Sequence, residues 1–164
     1  MRAALQSLPR GAGLVRLVAL VLSVFGLAAG LRAQQPALEE GRSRFCAIDI
    51  YVDAGATPLA AYQLEFTATN GMAKIAGIEG GAHAAFHEPP FYDPKAMQHE
   101  RVILAAFSTA AADKLPVGKV RVATVHLQIT GDSPPQFQIK LQTAGDANGN
   151  KIPAQASFEE RKQQ

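Results

Sequence analysis

The chain contains no tryptophan and a single cysteine, and only 18% of its 164 residues are charged. Without tryptophan it lacks the broadest aromatic ring from which a flat platform for crystalline polysaccharide is built. The lone Cys46 excludes an intrachain disulfide and any paired-cysteine metal motif. No G-x-S-x-G, phosphate-cradling glycine loop or H-E-x-x-H string occurs, so the strings that announce a hydrolase, a nucleotide enzyme or a zinc protease are all missing. No catalytic constellation stands out, and the expectation is a protein that is not an enzyme. Long apolar runs are missing as well. The longest, 17–31 (LVALVLSVFGLAAGL), is 15 residues, against the roughly 20 that a spanning helix needs.

Acidic residues are absent from 1–33, which hold Arg2, Arg10, Arg16 and Arg32. Setting those four aside leaves twelve basic against fourteen acidic residues, so the formal +2 of the whole chain becomes −2 for the remainder. The basic character belongs to the N-terminal segment. A nucleic-acid module would carry its Lys and Arg on the domain itself, so none is expected. A basic start, a short apolar stretch and then small residues is the pattern of a secretory signal peptide. Cleavage is expected after Gly30 or after Ala33, and the protein is expected to be secreted or periplasmic. Membrane attachment follows only if the segment is retained as an anchor. Residues 34–44 read as a linker, 45–159 as the folded domain and 160–164 as a charged tail.

The body is 48% hydrophobic by whole-chain composition, too apolar for disorder. Its apolar residues recur with period two. Cys46, Ile48, Ile50 and Val52 share one parity, as do Tyr62, Leu64 and Phe66, and Phe137, Ile139 and Leu141. Residues 72–78 suggest a further strand. The stretch 101–108 (RVILAAFS) is apolar almost throughout and reads as a strand covered on both faces. Within 119–130, the set Arg121, Ala123, Val125, Leu127 and Ile129 is expected to face the core toward its end. Ile152, Ala154, Ala156 and Phe158 read as the last strand. Turn residues separate these segments and no long helix is apparent. The fold class expected is an all-β antiparallel sandwich of the jelly-roll type with about nine strands.

Three segments resemble cohesin-like domains, in the superfamily that also holds bacterial cellulose-binding modules. They are CAIDIYVDAG followed by AAYQLEFTAT, then LPVGKVRVATVHLQITG, and the ending LQTAGDANGNKIPAQ. The resemblance implies a nine-stranded jelly roll without catalytic activity, acting in protein–protein docking or polysaccharide recognition outside the cytoplasm. A single copy in so short a chain departs from cellulosome scaffolds and favours a stand-alone binding protein.

Three sets of residues are candidates for a site. Most aromatics fall on core parity; Tyr51, Phe91 and Tyr92 are the best candidates for exposed rings, which suit a ligand, the plain alternative being that Phe91 and Tyr92 tuck their loop onto the sandwich. His83, His87 and His99, with Asp93 close by, carry donor types that bind transition metals. They lie in the irregular, proline-rich stretch 82–100, where the plain alternative is surface histidines on a loop, and they define the second functional reading, a small metalloprotein. Asp146 and Asn148 begin like a calcium loop. The sixth and twelfth positions are Lys151 and Ser157, so the segment is not an EF-hand. A hairpin turn is the simpler reading, and calcium is the only cofactor these residues suggest. Cys46 has core parity and reads as a buried small hydrophobe.

Overall fold

The computed structural model describes residues 42–70 and 72–162. The expected signal peptide and most of the expected linker lie outside the described residues. Seven strands are present among them: β1 (Ser43–Asp53), β2 (Ala61–Thr69), β3 (Met72–Gly80), β4 (Arg101–Phe107), β5 (Lys119–Thr130), β6 (Gln136–Gly145) and β7 (Gln155–Glu160). They form a four-stranded sheet in the order β3-β5-β1-β7 and a three-stranded sheet in the order β4-β2-β6. Every pairing is antiparallel. This is the all-β sandwich expected, with seven strands in place of about nine. The first strand begins at Ser43, two residues before the expected domain start. No helix among the described residues is long and apolar enough to cross a membrane.

Consecutive strands never pair. Odd-numbered strands make one sheet and even-numbered strands the other, so each connection carries the chain across the sandwich. The Asn70-Gly71 turn signal therefore marks a crossing from β2 to β3 and not a hairpin. Asn70 takes a left-handed φ of 52° there, a conformation that asparagine tolerates better than most residues.

The core follows strand parity. Ile48, Ile50 and Val52 of β1 are fully buried, as are Leu64 and Phe66 of β2. Each such side chain contributes about 1.5–3 kcal/mol relative to exposure. In β5 the parity changes partway. The register slips between Ile50 and Tyr51, which pair with Ala123 and Arg121 and leave Val122 as the extra residue of a bulge. Val122 is buried from one parity, and Val125, Leu127 and Ile129 from the other. The expected inward set thus holds from Ala123 onward, and Arg121 lies outside it. Tyr62 of β2 reaches across the sandwich and donates its hydroxyl to the Val122 carbonyl at 3.1 Å, and burial pushes that phenol well above its ordinary range.

The segment 81–100 seals the side of the sandwich where β3 and β4 lie. Gly81 N–H donates to Phe86 O, and Ala82 N–H to Arg121 O. A Cβ on Gly80 would meet the His87 carbonyl and one on Gly81 the Arg121 carbonyl, so both positions need glycine for close approach. Phe86 is buried against Tyr62, with ring centroids 5.4 Å apart. A 3-10 turn at Pro94–Ala96 follows the proline start expected there. The chain then meets β3, where His99 O accepts from Ile75 N–H at 2.8 Å and Gln98 N–H donates to Ile75 O at 2.9 Å.

Candidate functional site

Strand β4 differs from its sequence reading. Val102 and Leu104 are buried, whereas Arg101, Ile103 and Phe107 are exposed. The strand is covered on one face only. Its outward residues join those of β2 and β6 on the outer face of the three-stranded sheet. Phe91 extends this face by a single bridge. It accepts from Ala105 N–H at 3.0 Å and donates to Ala105 O at 2.7 Å. The bridge stays one residue long because Pro89 and Pro90 precede it, and proline cannot donate to a ladder. On its other side Asp93 turns away, its carboxylate accepting from Lys95 N–H at 2.9 Å.

The ring of Phe91 stacks on that of Phe107, with centroids 6.1 Å apart and planes 11° from parallel. Phe91 is 69% exposed and Phe107 64%. On the same outward face lie an amide pair, Gln63 Nε2 donating to Gln142 Oε1 at 2.7 Å, and, toward the other end of β4, an ion pair, Arg101 with Glu65 at 2.7 Å. A cleft of about 400 Å³ opens next to Ile103, with Asp93, Lys95 and His99 on its rim. The outcome is an apolar, aromatic strip bordered by fixed polar groups, an arrangement that suits a ligand with both apolar faces and hydroxyl or amide edges. Phe107 escaped the sequence reading. The signal for it was its shared parity with Arg101, whose charge marks the outward face of the strand.

The outer face of the four-stranded sheet is occupied by its own polar contacts. Arg161 holds Asp49 through two hydrogen bonds, of 2.6 and 3.2 Å. The buried Thr124 donates to the same carboxylate at 2.7 Å, and Arg121 donates to Thr124 at 2.7 Å. Burial acts to raise the Asp49 pKa. The bonds from Arg161 and Thr124 and the charges of both arginines outweigh it and hold the carboxyl below its ordinary range. Tyr51 lies on this face. Its ring carries Lys119 Nζ at 4.5 Å, and Lys119 in turn pairs with Glu159 at 2.6 Å.

The three sequence candidates thus separate. Tyr51 and Phe91 stand on different sheets, and Tyr92 is half-buried against the core, tucking the loop onto the sandwich. Of the three, Phe91 belongs to the exposed strip. The histidines are engaged singly. His83 Nδ1 accepts from Ala85 N–H at 3.1 Å as the cap of the 3-10 turn at Ala84–Phe86. His87 is exposed and lies 3.1 Å from Glu88. His99 lines the cleft beside β4. Among the described residues no group of three or more His, Cys, Asp or Glu side chains is gathered to hold a metal ion.

Asp146 serves the turn it stands in. Its Oδ1 accepts from Asn148 N–H at 2.9 Å and Asn150 N–H at 2.8 Å, and its Oδ2 from Asn150 Nδ2 at 3.1 Å. The Asn150 side-chain bond leads in holding this carboxyl below its ordinary range. Asn148 contributes its backbone N–H to this arrangement. A single Gly145–Lys151 bridge closes the turn locally before the chain crosses to β7 in the other sheet. Cys46 is buried and burial pushes its thiol up, with Glu160 adding to the shift, so it is held as a neutral, inert thiol.

No family model matches the chain, and no curated protein or solved structure matches it either.

Proposed function

We infer that the protein is a non-catalytic binding module, exported from the cytoplasm, that docks a protein or polysaccharide through the outer face of its three-stranded sheet. The observation that carries this reading is the stacked Phe91–Phe107 pair, about two-thirds exposed on the outer side of the three-stranded sheet. Two large rings left in water form a recognition surface, because apolar burial and ring stacking stabilise a complex when the site is covered. The Gln63–Gln142 amides and the Arg101–Glu65 pair supply directional hydrogen bonds along the same face. The opposite sheet also exposes Phe45 and Met72, but its outer face carries the hydrogen bonds among Asp49, Thr124, Arg121 and Arg161, and the stacked pair lies on the three-stranded sheet.

The cohesin-like resemblance is consistent with this reading. Strands that alternate strictly between two sheets, with first and last strands as neighbours, suit a jelly roll. Phe91 takes the place of a further, one-residue strand at the outer edge of β4. Export rests on the pattern of 1–33, whose basic start and short apolar stretch fit a signal peptide.

The test is a glycan and peptide array probed with the purified protein and with the double variant Phe91→Ala/Phe107→Ala. Specific hits that the double variant loses, while it keeps its unfolding midpoint, support the reading. An array with no hit, or hits that the variant retains, contradicts it.

A further inference from the structure

The two sides of the sandwich are finished differently. On the β3 and β4 side, Phe86, Tyr92 and Met97 of the 81–100 segment pack against the core. On the other side the edges are β6 and β7, and among the described residues no strand pairs with the far edge of either. There the inward side chains Phe137, Ile139 and Leu141 are only half-buried, and Phe137 meets Phe158 of β7 edge to face at 6.0 Å.

Antiparallel ladders alternate the direction of their main-chain groups. Ala105 of β4 faces outward to Phe91, and Ala68 N–H of β2 donates to Glu100 O on the β4 side. The even residues of β2 therefore face β4 and its odd residues face β6. Glu65 and Thr67 pair with Lys140 and Gln138, which leaves the N–H and C=O groups of Phe137, Ile139 and Leu141 on the open edge. The same three residues thus present unpaired main chain and unfinished apolar surface. Such an edge invites another strand.

We propose that the β6 edge pairs with β6 of a second copy of this chain, antiparallel about Ile139, joining two three-stranded sheets into one of six. The segment is self-complementary in that register. Phe137 lies opposite Leu141 of the second copy, Ile139 opposite its own equivalent, and Lys140 opposite Gln138. Roughly six main-chain hydrogen bonds form, two for each outward pair. The inward side chains of both copies fall on one face and continue the apolar seam beneath. Lys140 selects the register. Moving the axis to Lys140 would set two ammonium groups against each other, which is destabilising. A five-residue edge is small against standard interfaces, so the dimer is of the weak class, with a dissociation constant of roughly 10 µM to 1 mM.

The charge of residue 138 tests the register, because its side chain is exposed and makes no contact with the core. Sedimentation equilibrium of the purified protein is expected to show dimerisation. Gln138→Glu, facing Lys140 twice per dimer, is expected to tighten it about two- to thirtyfold, and Gln138→Lys to weaken it by a similar factor. Hydrogen exchange at Phe137, Ile139 and Leu141 is expected to slow as concentration rises. A chain that stays monomeric to about 2 mM overturns the proposal. So does a dimer that neither variant shifts, which would use another surface, and so does weakening by both variants, which would place the axis at Gln138.

Discussion

Asp49 offers the sharpest test of how the sandwich is held together. Its side chain is 14% exposed at the middle of β1 and accepts from Arg161 and Thr124, with Arg121 at 3.9 Å. Asp49→Ala would leave the Arg161 guanidinium and the hydroxyl of the fully buried Thr124 without their common acceptor, and Arg121 without its neighbouring carboxylate. Removing one partner of a buried pair costs about 3–5 kcal/mol. Arg161 is 42% exposed and water reaches it, so the expected loss is lower, about 2–3 kcal/mol. At about 4 °C per kcal/mol for a domain of this size, the midpoint of thermal unfolding falls by about 8–12 °C. The assay is thermal and urea unfolding of both proteins, repeated across acidic pH. The folded-state pKa of Asp49 lies below its unfolded value, so its contribution is complete above the ordinary carboxylate pKa of about 3.9 and is lost as pH falls through the lowered native value. The gap between wild type and variant should therefore close at strongly acidic pH. A loss under about 0.5 kcal/mol at neutral pH, or a gap that persists in acid, would refute the role given to this carboxylate.

Two further substitutions separate local causes. Gly81→Ala drives a methyl into the Arg121 carbonyl and against Val122 Cα at 2.8 Å, so it should destabilise by about 2–4 kcal/mol, read by urea unfolding. A neutral effect would mean that the 81–100 segment moves aside freely. Asp146→Ala removes the acceptor for three donors in the turn, and should lower the unfolding midpoint at neutral pH while leaving it nearly unchanged in strong acid, since the lowered carboxyl contributes only while ionised. Equal losses at both pH values would show that the turn depends on side-chain shape and not on charge.

The legible parts of the fold were those where one parity holds along a whole strand. β1 and β2 alternate without a break, and Ile48, Ile50, Leu64 and Phe66 are buried as their spacing dictates. β5 was only partly legible, because the bulge at Val122 moves the inward face from one parity to the other, and nothing local in KVRVATV announces it. β4 misled because Ile103, Ala105 and Phe107 are as apolar as the residues that alternate with them, and only tertiary packing decides which face meets the core. Turn chemistry at Asn70 and at Asp146 told that the chain reverses but not which sheet receives it. At the candidate site, Phe91 was visible as an aromatic in the irregular, proline-rich loop, where an exposed ring is expected. Its partner Phe107 lay in a run read as covered. Tyr51 was placed outward correctly, but the lysine that caps its ring comes from 68 positions further along the chain, a contact no local pattern carries.

The docking surface proposed for the protein is the outer face of the three-stranded sheet. Amide shift mapping by NMR, using the strongest ligand found on the array, tests it most directly. Perturbed amides are expected to cluster at Gln63, Phe91, Ile103, Ala105, Phe107 and Gln142. Perturbations centred instead on Tyr51, Asp49 and Thr124 of the opposite sheet would contradict the proposed surface.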